Sequence, residues 1–400
     1  MRPTELDTIL TAMLDAHPGI SDLLFTVNRP FQVETFGELK EARIQPAVKT
    51  LTSYQTEQIA LNIIGDQRHL LSHLITHGAC DCSYSLGEKT RFRVNVFRQR
   101  GSYSIVMRKA QSEMPTISSL ALQPIFHDIA KEKNGLILVT GATGSGKTTT
   151  LAALLNEINE THGVHVVTLE DPIEFVHNHK RATFNQRELG GDFDTYPNGL
   201  RAALRQAPKV ILVGEMRDRA TVEIALTAAE TGHLVLSTLH TINAGQSINR
   251  MLGMFELAEE TQLRLRLSET LRWIVSQRLV PKVRGGRLLV NEIMGSNLRT
   301  RESVALGEQD GRTFYEIIES NATFGWTTFD QSLLRAYKAG LVTEETSNLY
   351  ATNKARMTRY IDTVKKERGS AEDQPTGMRL DNDAASSTSA SATFSALRLS

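Results

Sequence analysis

The sequence predicts an α/β protein: a parallel sheet interleaved with helices, behind a smaller α+β domain. Three observations carry this. The stretch Gly141-Ala142-Thr143-Gly144-Ser145-Gly146-Lys147-Thr148 has two glycines separated by four residues, then Lys and a hydroxyl residue, which is the phosphate-loop pattern. From Asn134 to about Val290, short apolar runs alternate with helical stretches, which implies parallel strands with crossover helices. The first hundred or so residues instead show helix starts followed by a strand pair.

In that first domain (1–110), Leu6, Ile9, Leu10, Met13 and Leu14 form a helical stripe after Thr4, ending near His17-Pro18-Gly19. Thr52 with Gln55 forms a capping box for a second helix, which Gly65 stops. Cys80, Cys82, Tyr84 and Leu86 alternate with polar residues as in a strand. These are the chain's only cysteines, and core packing is the expected role. Phe92, Val94 and Val96 alternate with Arg91, Arg93 and Asn95, and a turn near Gly101 leads to Tyr103–Met107, a hairpin. Residues 111–133, with Pro115 and Pro124, read as a linker containing a short helix.

The larger domain (134–368) carries strand candidates at Gly135–Thr140, Val164–Leu169, Val210–Val213 and Leu234–Thr238. Leu151, Leu154, Leu155 and Ile158 give a helix directly after the phosphate loop. From Leu257 the pattern turns helical, with Leu263, Leu267, Leu271 and Ile274 on one predicted face. A helix over Asp330–Ala339 ends at Gly340, and another begins at Thr343. Residues 369–400 are rich in Ser, Ala and Asp and read as a disordered tail.

Composition excludes several classes. Forty-five basic residues balance 45 acidic ones, which argues against nucleic-acid binding by the chain as a whole. No run approaches the roughly 18 apolar residues of a membrane span, so a cytosolic protein is expected. His177-Asn178-His179 reads as a solvated loop, without a metal-site partner motif.

The chemistry gathers where strands end. The glycines of Gly141–Thr148 let successive backbone N–H groups face one anion, and a helix N-terminus follows. Gly141, Thr143, Gly144, Ser145, Gly146 and Thr149 shape the cradle. Lys147 is placed to reach the β- and γ-phosphates, and Thr148 to hold Mg²⁺. Thr168-Leu169-Glu170-Asp171 closes one strand, so Glu170 falls beside the loop if the two strands are neighbours. Val210-Ile211-Leu212-Val213-Gly214-Glu215 is an apolar strand ending in an acid, although Gly214 takes the place of the usual Asp. His240 stands at the carboxyl end of the strand Leu234–Thr238, and His233 at the opposite end.

Taken together, Gly141–Thr150, Thr168–Phe175, Val210–Asp218 (VILVGEMRD) and Thr231–Thr241 (TGHLVLSTLHT) resemble the secretion and type IV pilus ATPase superfamily, and its retraction motors of the PilT/PilU type in particular. The resemblance implies a RecA-like P-loop ATPase core with a PAS-like N-terminal domain. It implies a homo-hexameric ring acting on ATP with Mg²⁺, cytoplasmic and peripheral at the inner-membrane base of the pilus. Its partners would be an inner-membrane platform protein and related pilus ATPases, with no nucleic acid. Carried over by position, Lys147 and Thr148 bind phosphate and metal, and Glu215 orients the attacking water. Glu170 is the essential acid of the second motif, and Thr148, Glu170 and Glu215 form the metal set. His233 and His240 are the paired histidines. Among Arg91, Arg93, Arg98 and Arg108, the candidates for a phosphate-sensing arginine are Arg93 and Arg108. Gln277-Arg278-Leu279-Val280-Pro281 continues without the cysteine-rich zinc module common in extension ATPases, which favours retraction. Asn297-Leu298-Arg299-Thr300-Arg301-Glu302 departs from the retraction motif Ala-Ile-Arg-Asn-Leu. The rival functions are an accessory or extension-type secretion ATPase and a RecA-like nucleic-acid translocase.

Overall fold

The computed structural model describes residues 3–45, 47–87, 90–110 and 113–372. Its first lobe runs α1 (Pro3–Asp15), β1 (Ile20–Phe25), β2 (Gln32–Thr35), β3 (Glu38–Glu41), α2 (Ser53–Ile64), α3 (Arg68–His77), β4 (Ala79–Leu86), β5 (Thr90–Gln99) and β6 (Ser102–Lys109). The six strands form an antiparallel sheet in the order β3-β2-β1-β6-β5-β4. The capping box at Thr52 and Gln55 forms as its residues dictate, and Gly65 ends α2 at φ 58°. Phe92, Val94 and Val96 are fully buried against α2 and α3 in one apolar cluster. Strand alternation therefore turns Arg91 and Arg93 to the other face of the sheet. Cys80 is buried and Cys82 half-buried in the same strand, both as free thiols.

A short helix, α4 (Ile125–Ile129), lies between the lobes in sequence. The second lobe then runs β7 (Gly135–Gly141), α5 (Lys147–Thr161), β8 (His165–Glu170), β9 (Thr183–Glu188), α6 (Tyr196–Ala203), β10 (Val210–Val213), α7 (Arg219–Glu230), β11 (Leu234–Leu239), α8 (Ala244–Leu252), α9 (Glu260–Thr270), β12 (Leu271–Pro281) and β13 (Arg287–Gly295). Five helices close the described chain: α10 (Leu298–Leu306), α11 (Phe314–Ser320), α12 (Phe329–Lys338), α13 (Glu344–Tyr350) and α14 (Lys354–Glu372). Residues 369–372 of the expected disordered tail continue α14 instead, and the rest of that tail, from 373 onward, lies outside the described residues.

The second sheet has the order β13-β12-β7-β11-β10-β8-β9. It is parallel from β12 to β9, with β13 antiparallel at one edge. Both faces are covered. Leu136 and Leu138 of β7 point into a cluster with α6 to α9, while Ile137 and Val139 point into a second cluster with α4 and α5. Burial on two sides explains why these strands read as continuous apolar runs.

The structure corrects the sequence reading in three places. The helical stripe Leu263–Ile274 breaks after Thr270, so Leu271 and Ile274 belong to β12. An apolar residue at every third or fourth position fits either state where helix and strand abut. Strand β9, which is mostly polar, and strands β12 and β13, which mix apolar with polar residues, extend the sheet beyond the four expected strands. The strand of Glu170 is not the neighbour of β7, because β11 and β10 lie between.

Gly295 ends β13 directly under Trp326, where a Cβ would come within 2.7 Å of three indole atoms. Gly295→Ala is expected to cost about 1–3 kcal/mol through overpacking, read as a lower urea midpoint with an unchanged m-value.

Candidate active site

Phosphate-loop geometry follows from the positive φ angles of Gly141 (147°), Gly144 (76°) and Gly146 (91°). Side chains rarely adopt these conformations. At Gly141 space is also lacking: a Cβ would lie 2.5 Å from Ser145 Oγ and 2.6 Å from the Gln277 carbonyl. Gln277 Nε2 in turn donates to Thr150 Oγ1 at 2.7 Å, tying β12 to the loop helix. Lys147 is buried, and its Nζ donates to the Gly141 and Ala142 carbonyls at 2.9 and 3.1 Å. Burial lowers its pKa, opposed by the nearby Glu215.

The loop opens into a cleft of about 570 Å³. Thr143, Gly144, Gly146, Lys147, Thr148 and Thr149 line one side, and Glu170, Glu215 and His240 line the other. Gly141 and Ser145 shape the loop from behind. Glu215 follows β10 by two residues. Its Oε1 is ion-paired with Arg217, and its Oε2 is buried without a hydrogen bond, 3.5 Å from His240 Nε2. Gly214 has no room for a side chain: a Cβ would meet Tyr196 Oη at 2.9 Å and the Leu169 carbonyl at 3.1 Å.

Glu170 is differently placed from a free metal-holding carboxylate. It is 8% exposed, and one oxygen accepts from Thr168 Oγ1 (2.6 Å) and Gln186 Nε2 (3.0 Å). Burial pushes its pKa up to about 7 against those two hydrogen bonds. His177 is a correction: far from solvated, it is buried and stacks on Phe184 at 4.6 Å. Burial holds its pKa down near 4.

The first lobe reaches this cleft through Arg93. The other arginines are used elsewhere. Arg91 makes a 2.5 Å ion pair with Glu188 across the two lobes. Arg108 pairs with the buried Asp22 at 2.9 Å. Arg98 lies over the Tyr103 ring. His233 sits at the amino end of β11, its Nδ1 on the Ala228 carbonyl, and is not among the residues of the cleft. Arg108 and His233 are therefore not brought to the phosphate loop within one chain. Sequence reading missed Arg217, Gln186 and Tyr196. Only Arg217 carried a signal, as a cation two residues after a strand-end acid.

A phosphate loop at the first strand of a parallel sheet, facing a strand-end glutamate, defines a P-loop nucleotide-binding protein. The Type II/IV secretion system protein family model matches residues 81–323. The chain is 38% identical over 331 residues to the type IV pilus retraction ATPase PilT of Pseudomonas aeruginosa, covering 82% of this chain and 94% of that one. It is 35% identical to the type IV pilus ATPase PilU of the same organism, covering 87% and 88%. A crystal structure of the pilus retraction motor PilT with bound ADP superposes with a TM-score of 0.78 at 37% identity, covering 88% of this chain and 98% of that one. The chain belongs to the Type II/IV secretion system protein family, within its PilT/PilU-type branch. No helix among the described residues is long and apolar enough to cross a membrane.

Glu292 is buried as Glu170 is, and burial raises it to about 7 as well. The folded chain thus holds protons that the unfolded chain releases near 4.5. This costs nothing below that pH, grows between about 4.5 and 7, and is complete above. Stability should fall across that window, by on the order of 1.4 kcal/mol per pH unit per group at its steepest, read as a falling melting temperature. Glu170→Gln and Glu292→Gln should each flatten the profile.

Proposed function

We propose that the chain hydrolyses ATP to withdraw type IV pili, as one subunit of a homo-hexameric ring. One observation carries this reading most directly: the loop, Glu215 and Arg93 of the other lobe converge on one cleft, in a chain 38% identical to PilT over 82% of its length. Lys147 and the loop amides hold the β- and γ-phosphates. Water attacks the γ-phosphorus, the bond to the β–γ bridging oxygen breaks, and Glu215 accepts the water's proton. His240, beside Glu215 Oε2, steadies that carboxylate. Arg93 and Lys147 balance charge that builds on the phosphoryl oxygens. Because Arg93 belongs to the first lobe, losing the γ-phosphate loosens one lobe from the other, which is the working stroke.

Thr148 and the unpartnered Oε2 of Glu215 fit Mg²⁺, which takes few protein ligands and completes its shell with phosphate and water. The ion would supply charge neutralisation at the β- and γ-oxygens. Glu170, hydrogen-bonded and partly protonated near neutrality, serves the site by holding the strand ends in place. Arg108 and His233 act outside the chemistry of their own subunit's cleft. The ring works in the cytoplasm at the inner-membrane base of the pilus, against a platform protein and beside related pilus ATPases, with no nucleic acid.

Lys147→Ala and Glu215→Ala should each lower turnover on the order of 10²–10³-fold, about 3–4 kcal/mol, with Glu215→Ala still binding ATP by calorimetry. Deleting the gene should leave more surface pili and no twitching. Loss of all pili would instead indicate an assembly motor.

A further inference from the structure

The contact between Arg217 and Glu215 is not required by the fold. The backbone around Arg217 is fixed on both sides. Met216 is buried at 2%, with its N–H on the Thr238 carbonyl. Asp218 caps α7 by accepting from Thr221 N at 2.9 Å. Between these anchors only the Arg217 side chain is free, and it is 71% exposed while its partner Glu215 is 13% exposed. It borders the cleft that Lys147 borders. As it stands, the guanidinium holds one oxygen of the residue assigned as base, and the other oxygen makes no hydrogen bond, with His240 Nε2 3.5 Å away.

We propose that Arg217 senses the γ-phosphate within its own subunit and is a catalytic residue. On Glu215 it keeps that carboxylate engaged. The terminal phosphate of ATP offers more negative charge and three acceptor oxygens, which suit a guanidinium fork better than one carboxylate oxygen does. Arg217 then moves to the γ-phosphate, and Glu215 is released to take the proton of the attacking water. ADP lacks that group and leaves Arg217 where it is. The device deepens the ATPase reading and rests on it. It makes the base available only when there is a bond to break.

The test uses the full chain with Arg217→Gln, Arg217→Lys, Glu215→Gln and the double variant Arg217→Gln/Glu215→Gln. Calorimetry gives the affinities for ADP and for an ATP analogue with a non-hydrolysable β–γ link, and phosphate release gives turnover. In Arg217→Gln the preference for the triphosphate should drop roughly tenfold with ADP affinity within about twofold, and turnover should fall about 10²-fold. Arg217→Lys should recover part of the preference. Glu215→Gln should tighten the analogue several-fold, because Arg217 no longer leaves an ionic partner, and the double variant should not. An unchanged preference overturns the proposal. So does equal weakening of both nucleotides, or tightening by Glu215→Gln that persists without Arg217. Wild-type protein that binds the analogue but releases no phosphate would sink the ATPase reading instead, and the affinity ratios would still decide the Arg217 contact.

Discussion

The site exists because β8, β10, β11 and β7 run parallel and in register. Their hydrogen-bond ladders align Val213 with Leu169 on one side and with Ser237 on the other, and Ser237 with Leu138 of β7. Four chain segments therefore leave the sheet at one edge within a few residues of each other. Gly141, Glu170, Gly214 and the residue before His240 each stand at or just past such an exit. An antiparallel ladder would send half of them to the opposite edge. His233 shows the rule in reverse: it precedes β11, which His240 follows, so it stands at the opposite edge of the sheet and away from the cleft.

The two glutamates show how surroundings assign work to identical groups. Glu170 is sealed, hydrogen-bonded and raised towards neutrality by burial. Glu215 keeps a charged partner and an unpaired oxygen. The first lobe contributes through one strand face, where Arg91 and Arg93 stand two residues apart. One ties the lobes together at Glu188, and the other faces the nucleotide cleft. The joint between lobes and the cleft thus share a short, stiff piece of β5.

Much of this was legible in the sequence because the relevant signals are local. A capping box, a glycine-rich turn and a four-residue apolar strand each depend on neighbours a few positions away, so Thr52, Gly146 and Val210–Val213 were readable. What failed was whatever long-range packing decides. Strand order placed β10 and β11 between the loop and Glu170. Burial of His177 depends on Phe184 across a loop. The change from helix to strand at Leu271 depends on an open ladder beside β7. Arg108 and Arg93 look alike as outward arginines on a hairpin, and only Asp22, contributed by β1, separates them.

Gly214 leaves the acid one position later than the usual pattern, because Tyr196 and the Leu169 carbonyl occupy the space a longer side chain would need. A motif scan that insists on aspartate straight after the apolar run would pass over this chain. Residues 196 and 214 also form a coupled pair for evolution. A step from glycine to aspartate crowds both the tyrosine hydroxyl and the Leu169 backbone carbonyl, and exchanging the tyrosine for something smaller relieves only the first.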